Sequence, residues 1–471
     1  MLKSLLRALK QPAPAVAEPE AKRHAEAAQA SLAPDLPVPA TAPAAVPATD
    51  DPYAAATEAE QRGDIEGAIA LYRAYAEGRT NDPWALATFG GQLLQHGRVD
   101  EAEWVLLAAL RRFPYSAPLL FNTGRVAQTR MRLDEAIGYF RLALAAQPGF
   151  AMARFILSTQ LLLKGEYREG LILFRARNEL SAAPNAGWPR TLPRWEGEPL
   201  QGKRLLVWLD WGGLGDELQF ARYLTPLARD YRPARLLLGC SREGQRLYDQ
   251  IEGVDEASSA MGGVEVDYQI AIIDLAIIYR TALDNMPPAQ PYLRALPADI
   301  ERLAQRTAGL RGRKIGLCWG SGFWGKTTRS EKAIPLADLA CLSTLPNTEF
   351  ISLQKGPAHA EMPCPGLNVH DFDADLHDMA DTAALIENLD LVISVDTAVA
   401  HLAGALGKPV LMLLKWDSGN FWLLDREDSP WYPSMRIVRQ HAPGDWEGVA
   451  AQVMAILSAP VQMPGSGSEA N

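Results

Sequence analysis

The sequence predicts an α-helical solenoid followed by two Rossmann-like α/β halves, and three observations carry that expectation. Small residues recur at a spacing of 34 from Gly63 onward, short apolar runs alternate with helical stretches from about Leu200, and glycine-rich turns stand at the ends of several of those runs. At 471 residues, 48% hydrophobic and 22% charged, the chain can bury more than one core.

Residues 1–50 stand apart. Between Gln11 and Asp50, Ala and Pro dominate; proline removes backbone donors and blocks helix propagation, so a flexible linker is expected. Ahead of it, the decamer from Met1 to Lys10 has the pattern of a short basic amphipathic helix able to touch a membrane surface or a partner, with a frayed terminus as the simpler expectation.

Residues 51–180 form the repeat region. Gly63, Gly97, Met131 and Gly165 are spaced by 34, and so are Ala68, Ala102, Ala136 and Gly170. That period is the period of tetratricopeptide repeats. The segments starting at Gly97 and Met131 both read as tight inter-helix turns, the small second slot lets paired helices approach closely, and Pro83, Pro114 and Pro148 are expected to close each unit. Such stacks offer a concave surface to a protein partner, or act only as a spacer or dimerisation element.

Residues 181–200 read as a connector, and 201–300 and 312–458 as the two α/β halves, with a disordered tail over 459–471. Strands are expected at 204–210, 235–240 and 267–274, then at 314–320, 350–354, 391–396 and 409–414. Continuous apolar strands separated by helices imply parallel sheets covered on both faces.

Three turns carry candidate chemistry. After the first strand come Gly212, Gly213 and Gly215, then Asp216 and Gln219. In parallel sheets that end borders the ligand crevice. Asp216 is therefore either a helix cap or a general base. After the first strand of the second half stand Gly320, Ser321 and Gly322, followed by Lys326, Thr328, Arg329 and Lys332. Backbone donors beside these cations suit a diphosphate. The third turn runs from a buried strand into Asp396 and Thr397, then a small-residue helix with His401 about one turn on. Asp396 or Thr397 is expected to cap that helix while its free N–H groups meet an anion.

The Asp396-Thr397-x-x-x-His401-Leu-Ala-Gly-Ala-Leu-Gly-x-Pro run resembles the family 9 glycosyltransferases, the ADP-heptose:lipopolysaccharide heptosyltransferases, and Thr327-Thr328-Arg329-x-x-Lys332-x-x-Pro335 is similar to a segment of that family. Ser352 to Gly356 and Trp422 to Pro433 resemble bacterial proteins in which tetratricopeptide repeats precede such a domain, some associated with flagellin glycosylation. The resemblance spans roughly Gly63 to Leu457.

It implies a GT-B fold, with the acceptor on the first half and a nucleotide-sugar on the second. Catalytic roles fall to Asp216 as base and Lys332 as phosphate partner. Donor binding falls to Gly320, Ser321, Lys326, Thr328, Arg329, Gln354, Asp396, Thr397 and His401; Gly213, Gly215 and Gln219 form the acceptor-side loop. Where the repeat-bearing group often has a His/Asn/Asp-bearing loop, this chain reads Ser321 to Lys326. Inverting sugar transfer to a protein hydroxyl is expected, flagellin Ser/Thr being one acceptor, without metal or cofactor beyond the sugar nucleotide. A lipopolysaccharide or other glycan acceptor, and a non-catalytic nucleotide-sugar-sensing scaffold, are the alternatives.

Other classes fare worse. The net charge of -10 speaks against a nucleic-acid binder. Cys240, Cys318, Cys341 and Cys364 show neither a disulfide framework nor zinc-ligand spacing, which suits a cytoplasmic location. No apolar run reaches the roughly 20 residues of a membrane span, and no export signal is expected. Two Asp-x-Asp patterns between His370 and Asp378 are expected to form a polar loop, not a metal site. A nicotinamide-dependent oxidoreductase lacks a clean G-x-G-x-x-G with its ribose-binding acid.

Overall fold

A computed structural model of the chain describes residues 51–180, 192–261, 264–287, 291–321, 332–417 and 419–459. The expectations for the N-terminal decamer and linker, for 181–191 of the connector, for Lys326, Thr328 and Arg329, and for 460–471 of the tail lie outside those residues. The chain divides into two compact units, the first with residues 51–164 and 172–180, the second with 165–171 and the described residues from 192 onward.

The helical series runs α1 Pro52–Gln61, α2 Ile65–Glu77, α3 Pro83–Gln95, α4 Val99–Arg112, α5 Ala117–Thr129, α6 Leu133–Ala146, α7 Ala151–Lys164 and α8 Tyr167–Phe174. The 34-residue slot marks the turns between paired helices, with left-handed backbone at Gly63 (φ 80°), Gly97 (φ 75°), Met131 (φ 57°) and Gly165 (φ 88°). The following amide reaches back five residues, from Asp64 to Ala59 O (3.0 Å), Arg98 to Leu93 O (2.8 Å) and Arg132 to Ala127 O (2.9 Å), which satisfies carbonyls that the helix ends would leave open. Met131 takes the same conformation without glycine's freedom, at a cost of about 1–2 kcal/mol.

Ala68, Ala102 and Ala136 are fully buried, as a close helix approach requires. The structure adds a second small slot of the same period. A Cβ on Gly90 would sit 2.5 Å from Leu106 Cδ2, and one on Gly124 2.8 Å from Phe140 Cε1; Ala56 and Ser158, both fully buried, fall 34 residues to either side of that pair. Pro83 opens α3, behind an Asp82 side chain that accepts from Trp84 N (2.9 Å), and so begins a unit rather than closing one as the sequence suggests. A cavity of about 440 Å³ lies among α2, α3 and α4, lined in part by Arg73, Glu77, Phe89, Trp104 and Arg112.

The second unit holds two all-parallel sheets. The first has β1 Arg204–Trp208, α9 Leu214–Phe220, α10 Leu224–Tyr231, β2 Arg235–Gly239, β3 Glu256–Ser258 and β4 Tyr268–Ala271, in strand order β3-β2-β1-β4. Helix α11, Pro297–Thr307, precedes the second sheet. That sheet has β5 Arg313–Cys318, β6 Thr348–Ser352, β7 Val369–His370, α12 Met379–Glu387, β8 Leu391–Val395, α13 Ala398–Ala405, β9 Val410–Leu414, β10 Met435–Arg439 and α14 Trp446–Ser458, in strand order β10-β9-β8-β5-β6-β7.

Strands β8 and β9 are buried along their whole length, which explains why their sequences lack alternation. Seven strands fall where apolar runs predict them, most a residue or two shorter. The edge strands β3, β7 and β10 have no such signal: β3 and β7 have three and two residues, and Arg436 in β10 is exposed and breaks its apolar run. Among the described residues no helix is long and apolar enough to cross a membrane.

Candidate active site

Both α/β halves put a strand–turn–helix junction at the carboxyl end of a central strand, where parallel sheets bind ligands. The two junctions meet. Helix α9 packs against α13, and a Cβ on Gly215 would lie 3.0 Å from His401 Cδ2. Glycine on α9 thus lets the first half approach the second half's histidine without pressing on its ring.

On the first side the turn passes through Gly212 at φ 99°, where a Cβ would meet Asp216 Oδ2 at 2.2 Å. Asp216 is the third residue of α9, and its Oδ2 accepts from Gly213 N at 2.8 Å. The capping role is therefore present, and it uses one of the two carboxylate oxygens. Burial pushes Asp216 up to about 6; the Gly213 bond opposes that rise, the negative charge of Asp396 adds to it, and Lys332 works against it. Gln219, expected on the acceptor-side loop, is instead a residue of α9 and buried at 1% exposure; Gly215 also belongs to the helix, while Gly213 is its N-cap.

On the second side, Lys332 Nζ lies 2.6 Å from Asp396 Oδ2, and Trp422 Nε1 donates to Asp396 Oδ1 at 3.1 Å. Burial alone would raise Asp396, but the charge of Lys332, the neighbouring His401 and the bonds from Lys332 and Trp422 take it below the ordinary aspartate value. His401 Nε2 stands 3.9 Å from Asp396 Oδ1, and its Nδ1 is 2.9 Å from the Tyr432 hydroxyl. Burial holds His401 down at about 4, with the attraction of Asp396 only partly offsetting it. At neutral pH the site therefore has an ionised Asp396 paired with a lysine, a neutral histidine, and an aspartate across the cleft that titrates within reach of pH 7.

The expected helix cap is corrected. Thr397 stands at the N-cap of α13 but makes no side-chain capping bond. Its Oγ1 pairs with Ser394 Oγ at 2.9 Å and lies 3.7 Å from Cys318 Sγ, while Asp396 turns to Lys332 and Trp422. The start of α13 thus has no side-chain carboxylate of its own folded onto it, the arrangement that suits an incoming anion.

Gln354, expected as a donor contact, is occupied by backbone. Its Oε1 accepts from Trp319 N (3.0 Å) and Gly320 N (2.7 Å), and its Nε2 donates to Lys355 O (2.7 Å). It shapes the Gly320 turn. A Cβ on Gly320 would come within 2.3 Å of Ala358 Cβ, so this turn too depends on glycine. Ser321 follows, half-buried, and Lys332 is the next described residue.

The Asp-x-Asp segment disperses. His359 meets Asp371 at 3.1 Å, Lys355 meets Asp373 at 2.6 Å, Arg306 meets Asp375 at 3.0 Å, and His370 turns to Glu349 at 2.8 Å. Among the described residues no three such side chains converge as metal ligands.

Trp422, Tyr432 and Arg222 join the site from outside the three turns. Trp422 packs on the His401 ring (centroids 5.1 Å apart), and Tyr432 meets it edge-on at 5.7 Å. Their segment, 422–433, stands out in the sequence only by its resemblance. The repeated Trp and Tyr around Pro430 are the signal that could have found them, since aromatic side chains with a polar tip are buried where that tip has a partner.

Residues 376–447, which include Asp396, Thr397, His401, Trp422 and Tyr432, match the model of glycosyltransferase family 9 (heptosyltransferase). The chain carries a family 9 glycosyltransferase domain. Protein FlbA of Caulobacter vibrioides is 28% identical over 458 residues, covering 83% of this chain and 75% of that protein. Two solved structures are also similar to the glycosyltransferase domain. A family 9 glycosyltransferase from Veillonella parvula is 12% identical, covering 55% of this chain and 97% of its own, with a TM-score of 0.44. The E. coli ADP-heptose lipopolysaccharide heptosyltransferase II is 15% identical, covering 54% and 98%, with a TM-score of 0.42. On the family match over 376–447, the protein is a glycosyltransferase, and it has an N-terminal helical-repeat region.

Proposed function

We propose that this glycosyltransferase is inverting and metal-independent, and that it moves a sugar from a nucleoside diphosphate to a hydroxyl of a protein held by the repeats. One observation carries the reading: where α9 packs on α13, Asp216 on one half stands close enough to the Lys332–Asp396–His401 group on the other for Asp396 and Lys332 to shift its titration. The acceptor oxygen attacks the anomeric carbon from the Asp216 side and gives its proton to that carboxylate, while the carbon–oxygen bond to the diphosphate breaks on the opposite face. The charge that develops on the leaving group is met by Lys332, by His401 and by the start of α13. A titration near 6 leaves Asp216 ionised at neutral pH yet more basic than an ordinary aspartate.

The repeats supply a surface for the acceptor. The cavity among α2, α3 and α4 combines Phe89 and Trp104 with Arg73, Arg112, Glu77 and Glu101, which suits a segment bearing apolar side chains and charges of both signs. Flagellin Ser/Thr is one acceptor within this reading. A cytoplasmic setting belongs to it as well, supported by four cysteines that are all unpaired.

The test is release of nucleoside diphosphate from a panel of sugar nucleotides, with and without an acceptor protein, in the presence of EDTA. Turnover that survives EDTA and needs the protein is expected; turnover abolished by EDTA and restored by a divalent cation would overturn metal independence. The family's description as heptosyltransferase favours a second reading, a lipopolysaccharide or other glycan acceptor with the repeats as scaffold. Reversing the cavity charges, Arg73→Glu with Arg112→Glu, separates the two. Raised KM for the protein acceptor supports the first reading, and unchanged kinetics support the second. A sensing scaffold would bind the sugar nucleotide and release no product.

A further inference from the structure

Arg222 follows α9 and is buried at 4% exposure, with no carboxylate partner among the described residues. Three aromatic rings surround its guanidinium: Tyr292 at 4.8 Å, Tyr432 at 4.9 Å and Trp431 at 5.1 Å from the ring centres. It donates to Gln219 O (2.9 Å), Trp431 O (2.8 Å) and the Tyr292 hydroxyl (3.3 Å). A buried cation of this kind is tolerated where ring faces and carbonyls replace its water. Its effect here is to fix the Tyr432 ring, the ring whose hydroxyl reaches His401.

The protons can be counted. Tyr292 has one hydroxyl proton and lies 2.9 Å from Leu218 O, a carbonyl that can only accept, so that proton is committed there and the 3.5 Å approach to the Tyr432 hydroxyl is left without one from Tyr292. The Tyr432 proton then goes to His401 Nδ1 at 2.9 Å. With Nδ1 accepting, the ring of a neutral His401 carries its proton on Nε2, which stands 3.9 Å from Asp396 Oδ1. The other tautomer would aim the Nε2 lone pair at a carboxylate and leave the Tyr432 proton without a short acceptor. Electrostatics and hydrogen-bond supply agree on one state.

We propose that Tyr432, held by Arg222, is a positioning residue that fixes His401 as the neutral Nε2–H tautomer, so that the imidazole presents a hydrogen-bond donor beside Asp396 to an anion in the cleft. The identity of that anion, the diphosphate of a sugar nucleotide, rests on the function proposed above; the tautomer does not.

The experiment needs no substrate, so its failure and the failure of the transferase reading are separate outcomes. The full chain is labelled with 15N-histidine, and long-range 1H–15N correlation spectra are recorded at pH 7, with the His401 signals assigned by their loss in His401→Gln. The expected result is a single Nε2–H pattern in the wild type. In Tyr432→Phe, which keeps the ring on Arg222, the pattern changes to Nδ1–H or to an average of the two tautomers. An Nδ1–H or imidazolium pattern in the wild type overturns the proposal, and so does an unchanged Nε2–H pattern in the Phe variant. Should that variant not fold, 3-fluorotyrosine at position 432 makes a more acidic hydroxyl. The proposal then requires a shift of the His401 Nδ1 resonance, and an unmoved resonance overturns it.

Discussion

After β1 the chain turns through two glycines and places Asp216 on the third residue of α9; after β8 it turns through Asp396 and starts α13 at Thr397. Both junctions use a parallel strand, a tight turn and a helix start, and both hold a partly buried aspartate. Yet the two carboxylates move in opposite directions, Asp216 up to about 6 and Asp396 below its ordinary value. The difference lies in the partners. Asp396 has an ammonium at 2.6 Å and an indole N–H at 3.1 Å, whereas the Asp216 side chain takes its hydrogen bond from a backbone amide at 2.8 Å. A shared local motif thus sets where a carboxylate stands, and residues distant in sequence set what it does.

The largest effect is expected at Asp216. Asp216→Asn keeps an oxygen for Gly213 N, so the turn should survive while transfer falls by about 10²–10⁴-fold, the range typical of a lost general base. In the wild type kcat should rise with pH through about 6 as Asp216 ionises, and that limb should be missing from the residual activity of the variant. Undiminished product release by Asp216→Asn would remove the base.

At the other junction, Lys332→Met leaves Asp396 without its cation. Transfer should fall by about 10²–10³-fold, as expected when one electrostatic stabiliser of a leaving group is removed. Nucleoside diphosphate binding, measured by calorimetry, should weaken alongside it; full-strength binding would detach Lys332 from the leaving group.

Gly212→Ala tests the turn itself. With φ at 99° and the Asp216 carboxylate 2.2 Å from the added Cβ, the substitution should cost about 1–3 kcal/mol in denaturant unfolding of the second unit.

The smallest effect is the most diagnostic. Between about 4 and 6.5 the unfolded chain binds more protons at His401 than the folded one, so this residue makes stability rise with pH. Between 3.8 and about 6 the folded chain binds more protons at Asp216, so that residue makes stability fall as pH rises. The two nearly cancel in the wild type from about pH 4 to about pH 6. His401→Gln should expose the falling slope and Asp216→Asn the rising one, each by about 2–4 °C in Tm. Parallel slopes in the two variants would show that the junctions do not differ as described.

Much of this is legible in sequence because it is local. A 34-residue interval between Gly63, Gly97, Met131 and Gly165 is a backbone requirement, and a left-handed turn leaves its mark on the residue that adopts it. The slot at Gly90 and Gly124 is hidden because its cause is a facing side chain, Leu106 or Phe140, on the next helix. Strands are visible where they form continuous apolar runs and invisible where they are two or three residues long, as β7 and β3 are, or where a charge breaks the run, as Arg436 does in β10. Asp216, Lys332, Asp396 and His401, which the structure brings close together, stand out in sequence as candidates through their turns. Arg222, Trp422 and Tyr432 do not, because their roles come from contacts across more than twenty residues of sequence with no periodic trace. Gln354 shows the converse case: next to a glycine turn it reads as a ligand contact in sequence, and the structure adds the backbone partners through which it shapes that turn.

Gly215 gives the two halves their mechanical fit. With only a hydrogen at that position, α9 can close on the His401 ring with nothing between them; a methyl there would stand 3.0 Å from Cδ2 and act as a shim. The spacing between Asp216 on α9 and His401 on α13 is therefore gauged by an absent side chain. One carbon atom added at the joint would press on the edge of the His401 ring that carries Nε2 and hold the two helices further apart.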